Sequence, residues 1–248
     1  YPDLQGKTVL ISGGASGIGE FMVWAFAVQG AKVGFVDRAQ SQGERLAALL
    51  SSQGHAVEFV CCDITDEIAY KAAIGRFEHS LGPITVLVNN AANDVRHTLE
   101  EVDSEMFDRL ISVNLKHAFF AAKAVVPMMK RAGSGSIINL GSVGWMMASA
   151  GYPVYAASKA AAHGMTRALA RELGPNRIRV NTLVPGWVMT DKQLAMWVDD
   201  AAKELISRSQ CLPGSVLPEH IASMALFLAS QASAMCSAQN FIVDGGWV

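Results

Sequence analysis

A glycine-rich string set between a strand and a helix restricts this chain more than any other feature. Thr8–Ile11 is a run of β-branched and aliphatic residues; Ser12-Gly13-Gly14-Ala15-Ser16-Gly17-Ile18-Gly19 follows; Phe21–Gln29 continues as a helix closed by Gly30. Glycines there let the backbone turn tightly and let a second backbone or a ligand come close. The helix behind them presents free N–H groups and the positive end of its dipole. In a first βαβ unit that arrangement is a cradle for a pyrophosphate. A merely flexible turn is the plain alternative, and the flanking strand and helix weigh against it.

The alternation continues along the chain. Lys32–Val36, Ala56–Cys61, Ile84–Val88, Ser136–Leu140, Arg179–Leu183 and Phe241–Val243 read as further strands. Between them, Gly43–Gln53, Asp66–Ser80 with Thr65 as its cap, a long stretch from Asp103 to Arg131 interrupted at Pro127, Tyr155–Leu173 and His220–Ala229 read as helices. Runs of Val, Ile and Leu without alternation are strands buried on both faces, as in a parallel sheet. The expectation is an α/β Rossmann fold, a doubly wound seven-stranded parallel sheet with helices on both faces. No composition break or linker divides it, so 1–248 reads as one domain.

Composition bounds the partners. Hydrophobic residues make up 51% and charged residues 17%, with a mean hydropathy of +0.25. That excludes a disordered chain and suggests that some surface is buried in an oligomer. A net charge of −2 argues against nucleic-acid or anionic-membrane binding. No run approaches the roughly 18 apolar residues of a membrane span. Tyr1–Lys7 shows no leader pattern, and without an initiator Met the beginning reads as cropped. Cys61, Cys62, Cys211 and Cys236 form no C-x-x-C pair and read as free thiols of a reducing, cytoplasmic setting. No histidine spacing suggests a metal.

Ligands in such sheets sit beyond the carboxyl ends of the strands. Asp37 ends the second strand, where an acidic side chain accepts the ribose hydroxyls of NAD and repels the 2′-phosphate of NADP. Arg38 follows and is the residue that would tolerate that phosphate. Asp63 and Ile64, after the third strand, are candidates for the adenine pocket, with a helix cap as an equal reading of Asp63. Asn89-Asn90-Ala91-Ala92, after the fourth strand, places amides and small residues beside the nucleotide.

Tyr155 and Lys159 are one helical turn apart and share a face. An ammonium beside a phenol favours the phenolate, which makes Tyr155 a proton acceptor near neutral pH. Ser142 follows the fifth strand, where its hydroxyl can hold a substrate oxygen. Asn114 lies inside a helical stretch that Asn does not favour.

Together these residues resemble the classical short-chain dehydrogenase/reductase family, over essentially the whole chain and in the right order. Ser12 stands where Thr is usual, and Ala92 where Gly is usual. The resemblance implies a catalytic tetrad of Asn114, Ser142, Tyr155 and Lys159. In it Tyr155 exchanges the proton, Ser142 orients the substrate oxygen, Lys159 also binds the nicotinamide ribose, and Asn114 holds a water that links Lys159 to solvent. It implies that Gly13, Ser16, Gly17, Ile18, Gly19, Asn90, Ala91 and Ala92 contact the cofactor. Pro185, Gly186, Val188 and Thr190 match the segment beside the nicotinamide, and Asp244-Gly245-Gly246 the C-terminal signature. It also implies a homotetramer, built on faces such as the small-residue helix Ala156–Ala162.

Two regions shape the substrate pocket: the polar run Asn93-Asp94-Val95-Arg96-His97, and Trp187–Pro213, which reads as a long irregular lid. Asn93, Asp94, His97, Ser142, Trp145, Tyr155 and Trp187 are the candidate substrate residues, with Met146 and Met147 as apolar walls. The polar run and the stretches around Gln210-Cys211-Leu212 and Pro218-Glu219 resemble the aldose 1-dehydrogenase branch. That branch implies oxidation of a sugar's C1 hydroxyl to a lactone with NAD. The alternatives are a polyol or secondary-alcohol dehydrogenase, a ketone or 3-oxoacyl reductase, and an NAD-binding regulator without turnover.

Overall fold

The computed structural model describes all residues, 1–248. Seven strands form one parallel sheet: β1 (Thr8–Ser12), β2 (Lys32–Asp37), β3 (Val57–Cys61), β4 (Ile84–Asn89), β5 (Gly135–Leu140), β6 (Ile178–Pro185) and β7 (Asn240–Val243). Their order is β3-β2-β1-β4-β5-β6-β7, every neighbouring pair parallel. The chain winds outward from β1 to β3 and then returns to place β4 on the other side of β1. At that reversal the connections leave toward opposite faces, and a crevice opens beyond the carboxyl ends.

Helices cover both faces because the strands are apolar on both. Every residue of β1 is buried. One face packs against α1 (Gly17–Val28), α2 (Gln40–Ser52) and α9 (Pro218–Ala229), through Met22, Phe26, Leu46, Leu50, Ile221 and Leu228. The other packs against α3 (Glu67–Leu81), α5 (His117–Ala132) and α6 (Pro153–Leu173), through Ile74, Phe77, Val125, Met129, Ala170 and Leu173. No helix is long and apolar enough to cross a membrane.

Four local features differ from the sequence expectation. Asp66, not Thr65, caps α3: its carboxylate accepts from the N–H groups of Ile68 and Ala69, and an anion is favoured at that end. Thr65 instead turns its hydroxyl onto Asp63. The stretch from 103 to 131 is not one regular helix. It comprises α4 (Ser104–Ile111), a π turn over Ser112–Lys116, and α5. Pro127 lies within α5 without ending it. The segment after β6 is not irregular throughout, since it forms α7 (Asp191–Met196) and α8 (Asp200–Ser209).

A buried polar ladder ties the sheet to α6. Asn89 Nδ2 donates to Asn139 Oδ1 at 2.8 Å, and Asn139 Nδ2 donates to Thr166 Oγ1 at 2.9 Å. The Thr182 hydroxyl meets Thr166 Oγ1 at 2.9 Å. These bonds join β4, β5 and β6 to the helix that carries Tyr155. Asn139→Ala removes one buried partner each from Asn89 and Thr166, leaving them only Ala118 and Thr182, so it lowers unfolding free energy by about 1–3 kcal/mol in denaturant titration. A loss under about 1 kcal/mol would show that the ladder does not brace α6.

Candidate active site

The glycine turn is tight for a steric reason. A Cβ on Gly19 would lie 1.8 Å from the Gly13 carbonyl oxygen, and one on Gly13, at φ +68°, would lie 2.9 Å from Ala91 Cα. Asn90 Nδ2 donates to the carbonyls of Ser12 and Gly13, each at 2.9 Å. The Ser12 hydroxyl accepts from the N–H groups of Asn90 and Ala91, each at 3.1 Å. Ser12 thereby does the bracing work of a hydroxyl without the extra methyl of Thr. Ala92 keeps a negative φ, so its methyl is accommodated. At Ser16 no side chain caps α1, which leaves first-turn N–H groups to a ligand.

Asp37 closes the cradle. Its Oδ2 accepts from Ala15 N–H and its Oδ1 from Ala39 N–H, both at 3.0 Å, so the carboxylate is fixed beside the glycine turn. A close-approach turn, an open helix N-terminus and a fixed carboxylate suit the pyrophosphate and ribose of a nicotinamide dinucleotide. Arg38 faces Asp63 at 3.7 Å. The other Asp63 oxygen accepts from Thr65 N–H and hydroxyl, at 2.9 and 2.7 Å. Ile64 is buried in the core beside α3.

Ser142, Tyr155 and Lys159 come together on a cavity of about 590 Å³ beyond β5 and β6. Ile18, Asn90, Ala92, Asp94, Pro185, Gly186, Trp187, Val188 and Thr190, all expected at the site, also line it. Ser142 caps a short 3-10 turn, its Oγ accepting from Gly144 N–H at 3.1 Å. Lys159 Nζ donates to the Leu140 carbonyl at 2.8 Å and lies 5.6 Å from the Tyr155 ring centre. Burial pushes Lys159 down to about 8, with Asp94 opposing.

The lowering of the Tyr155 phenol that a neighbouring ammonium favours is opposed here by burial. Burial dominates and raises the phenol above its ordinary value; Asp94 and Tyr152 add to that, while Ser142 and the Arg96 guanidinium oppose it.

Asn114 is placed by the π turn, whose extra residue swings it into the interior, where it is buried. Its Oδ1 accepts from Asn93 N–H at 2.8 Å and its Nδ2 donates to the Asn93 carbonyl at 3.1 Å. The side chain therefore clamps the loop after β4. His117, three positions later, escaped notice in the sequence, where that spacing was its only signal. It is buried with Nδ1 unpartnered, and burial together with Lys159 pushes it down to about 3.

The polar run after β4 divides its work. Asn93 is consumed by Asn114 and turns its own Oδ1 to Val95 N–H at 3.1 Å. His97 is buried and off the cavity wall. Its Nδ1 meets the Val95 carbonyl at 2.9 Å and its Nε2 accepts from Val154 N–H at 3.3 Å, which fastens the loop to α6. Trp145 is not on the wall either, and Met147 rather than Met146 lines it. Asp94 lines the cavity but is bound to α7, accepting from Lys192 Nζ at 2.5 Å and Gln193 Nε2 at 2.9 Å. Burial would raise its carboxyl; Lys192 and Gln193 outweigh that and hold it below the usual range. Trp187 Nε1 donates to Gln193 Oε1 at 3.0 Å, so the same amide sets the tryptophan. Arg96, Gln193 and Trp197, from the two regions expected to shape the pocket, line the cavity as well, and so does Tyr152, which gave no sign in the sequence.

Residues 13–248 match the family described as enoyl-(acyl carrier protein) reductase. The chain belongs to the short-chain dehydrogenase/reductase family. Its relatives in that family include a D-xylose 1-dehydrogenase of Caulobacter vibrioides, 41% identical over 100% of this chain and 98% of its own. A Rhizobium meliloti protein named as a galactose dehydrogenase is 41% identical over 99% of this chain and 96% of its own. A gluconate 5-dehydrogenase of Burkholderia cenocepacia, solved with NADP and tartrate, superposes with a TM-score of 0.92 at 31% identity, covering 99% of this chain and 96% of that one. As a short-chain dehydrogenase/reductase, the chain is an oxidoreductase of CH–OH groups that works with a nicotinamide cofactor.

His117 gives this site a measurable pH signature. The unfolded chain protonates this imidazole near 6.5, whereas the folded chain resists until about 3. Its contribution to stability is complete above about 6.5 and is lost as the pH falls through that window. His117→Gln flattens the fall in stability between those limits. Parallel curves for the two proteins would mean that His117 is not held neutral by burial.

Proposed function

We propose that this chain oxidises the C1 hydroxyl of an aldose to the lactone with NAD. The observation that carries the reading is the convergence of Ser142, Tyr155 and Lys159 on a cavity that also presents Asp94, Arg96 and Gln193 beside Trp187 and Trp197. Polar groups set among tryptophan faces suit a ring with hydroxyl edges and C–H faces. Two sugar dehydrogenases at 41% identity support it.

The bound cofactor supplies the hydride acceptor. Ser142 donates a hydrogen bond to the C1 oxygen and stabilises charge as it develops there. Tyr155 takes the hydroxyl proton as its phenolate, the form that Ser142, Arg96 and the neighbouring Lys159 favour against burial, as hydride leaves C1, so the C1–H and O–H bonds break and a carbonyl forms. Lys159, held by the Leu140 carbonyl, binds the nicotinamide ribose. Asn114 and His97 keep the loop after β4 in register, and the cavity keeps the reacting groups close. Asp37 selects NAD: a 2′-phosphate would meet its carboxylate, and the Arg38 that would otherwise tolerate one is turned to Asp63. Asp63 flanks the adenine. Residues 187–213 form a lid latched by Asp94. Exposed Phe107 and Phe119 on α4 and α5 fit a homotetramer, and the free thiols fit a cytoplasmic setting.

NADH production over a panel of aldoses, polyols and secondary alcohols tests the reading. Turnover of aldoses is the expected result; turnover confined to apolar alcohols would favour the second reading, which rests on Met147 and Leu205 in the wall. Tyr155→Phe lowers kcat by a factor of about 10² or more with NAD affinity nearly unchanged. A retained rate would remove Tyr155 from the proton transfer. Asp37→Ala weakens NAD more than NADP, and an unchanged ratio of the two dissociation constants would show that Asp37 does not select between them.

A further inference from the structure

Arg96 is the only arginine on the cavity wall, and no acid answers it. Its guanidinium carbon lies 4.1 Å from the Tyr152 ring centre and 5.1 Å from that of Trp197. These contacts use the guanidinium's faces and fix its orientation, while the N–H groups around its edge remain available. None of the chain's ion pairs includes Arg96, and no hydrogen bond ends on its donors. The one carboxylate of the cavity wall stands two positions away, but both oxygens of Asp94 are taken by Lys192 and Gln193. The remaining charged group of the wall, Lys159, is a second cation turned onto a backbone carbonyl. The cavity therefore carries an excess of positive charge and one free planar fork of donors.

We propose that Arg96 pairs with a carboxylate of the substrate, and that the aldose this chain oxidises is a uronic acid, whose carboxylate on C5 lies across the ring oxygen from C1. This rests on the aldose reading above. A planar guanidinium binds a carboxylate with two parallel charge-assisted hydrogen bonds, a match that a neutral hydroxymethyl group cannot make. The spacing is suitable. The Tyr152 ring lies 5.4 Å from the Tyr155 ring and 4.1 Å from the guanidinium, so the guanidinium stands within about 9.5 Å of the Tyr155 ring centre, near enough for one pyranose to meet both through its C1 hydroxyl and the carboxylate on C5. Trp197, the second ring against Arg96, ends α7, the helix that Asp94 holds through Lys192 and Gln193. Occupation of the fork is thereby coupled to the position of the lid. Arg96 is in this account a specificity residue, binding the substrate without touching the reacting carbon.

The test compares sugars that differ only in carboxylate for hydroxymethyl: D-galacturonate against D-galactose, and D-glucuronate against D-glucose. Each is assayed with NAD on the full chain and on Arg96→Lys and Arg96→Gln. The expected result is a preference of at least about tenfold in kcat/KM for the uronate, weakened by added salt. Arg96→Gln abolishes the preference chiefly through KM, and Arg96→Lys keeps part of it. Equal or better turnover of the neutral sugars by the full chain, or a preference unmoved in Arg96→Gln, overturns the proposal and leaves aldose oxidation standing. If no aldose is turned over, the aldose reading falls and binding decides the role of Arg96. A rise in melting temperature with D-galacturonate and NAD, absent with D-galactose and absent in Arg96→Gln, sustains the carboxylate site; no such rise overturns it.

Discussion

Parallel strands cannot be joined by a tight turn, so every connection in this molecule must cross a face of the sheet and return to the same edge. That constraint places all the strand carboxyl ends together and puts a loop at each. The glycine turn after β1, Asp37 at the end of β2, the Asn90 loop after β4, Ser142 after β5 and Pro185-Gly186 after β6 are neighbours for this reason, although up to 173 positions separate them in sequence. The one large departure is Tyr155 with Lys159, which reach the same edge from the start of α6. The polar ladder through Asn139 and Thr166 holds that helix to the sheet.

Much of this was legible beforehand. The seven strands and their parallel arrangement follow from uninterrupted Val, Ile and Leu runs spaced by helix-length segments, because burial on both faces imposes that composition. The glycine turn was legible because sterics leave no other residue type at Gly13 and Gly19. The lid helices were less legible, since α7 and α8 are short and offer few apolar residues to the core: α7 buries none and α8 only Ala202 and Ile206. The cap of α3 was misplaced by one residue because Thr65 and Asp66 are both good caps, and only the second aims its oxygen at the helix. Pro127 breaks the pattern on paper, whereas tertiary packing of α5 carries the helix through it.

The side chains of the site were less predictable than their positions. His97 and Asp94 look alike as polar residues in one loop. One is an internal fastener, the other a latch to α7, and only the three-dimensional partners distinguish them. His117 gave little sign in the sequence, and Arg96 stood only as one member of a polar run, because a buried neutral imidazole and an unpaired guanidinium are defined by what surrounds them. The pKa logic shows the same limit. A Tyr and a Lys one turn apart suggest a lowered phenol, yet burial of both groups works against their charged forms, and the ammonium is turned to a carbonyl. The phenol of Tyr155 thus answers to Ser142, Arg96, Asp94 and burial together, and not to one neighbour.

The central claim is that hydride leaves the anomeric carbon of a sugar held between Ser142, Tyr155 and the lid. The most direct measurement is single-turnover oxidation of an aldose deuterated only at C1, with the reduced cofactor analysed by mass spectrometry and NMR. The account predicts that deuterium appears at C4 of the nicotinamide and that the transfer step slows relative to the unlabelled sugar. Reduced cofactor without deuterium would place the oxidised hydroxyl on another carbon and contradict the account.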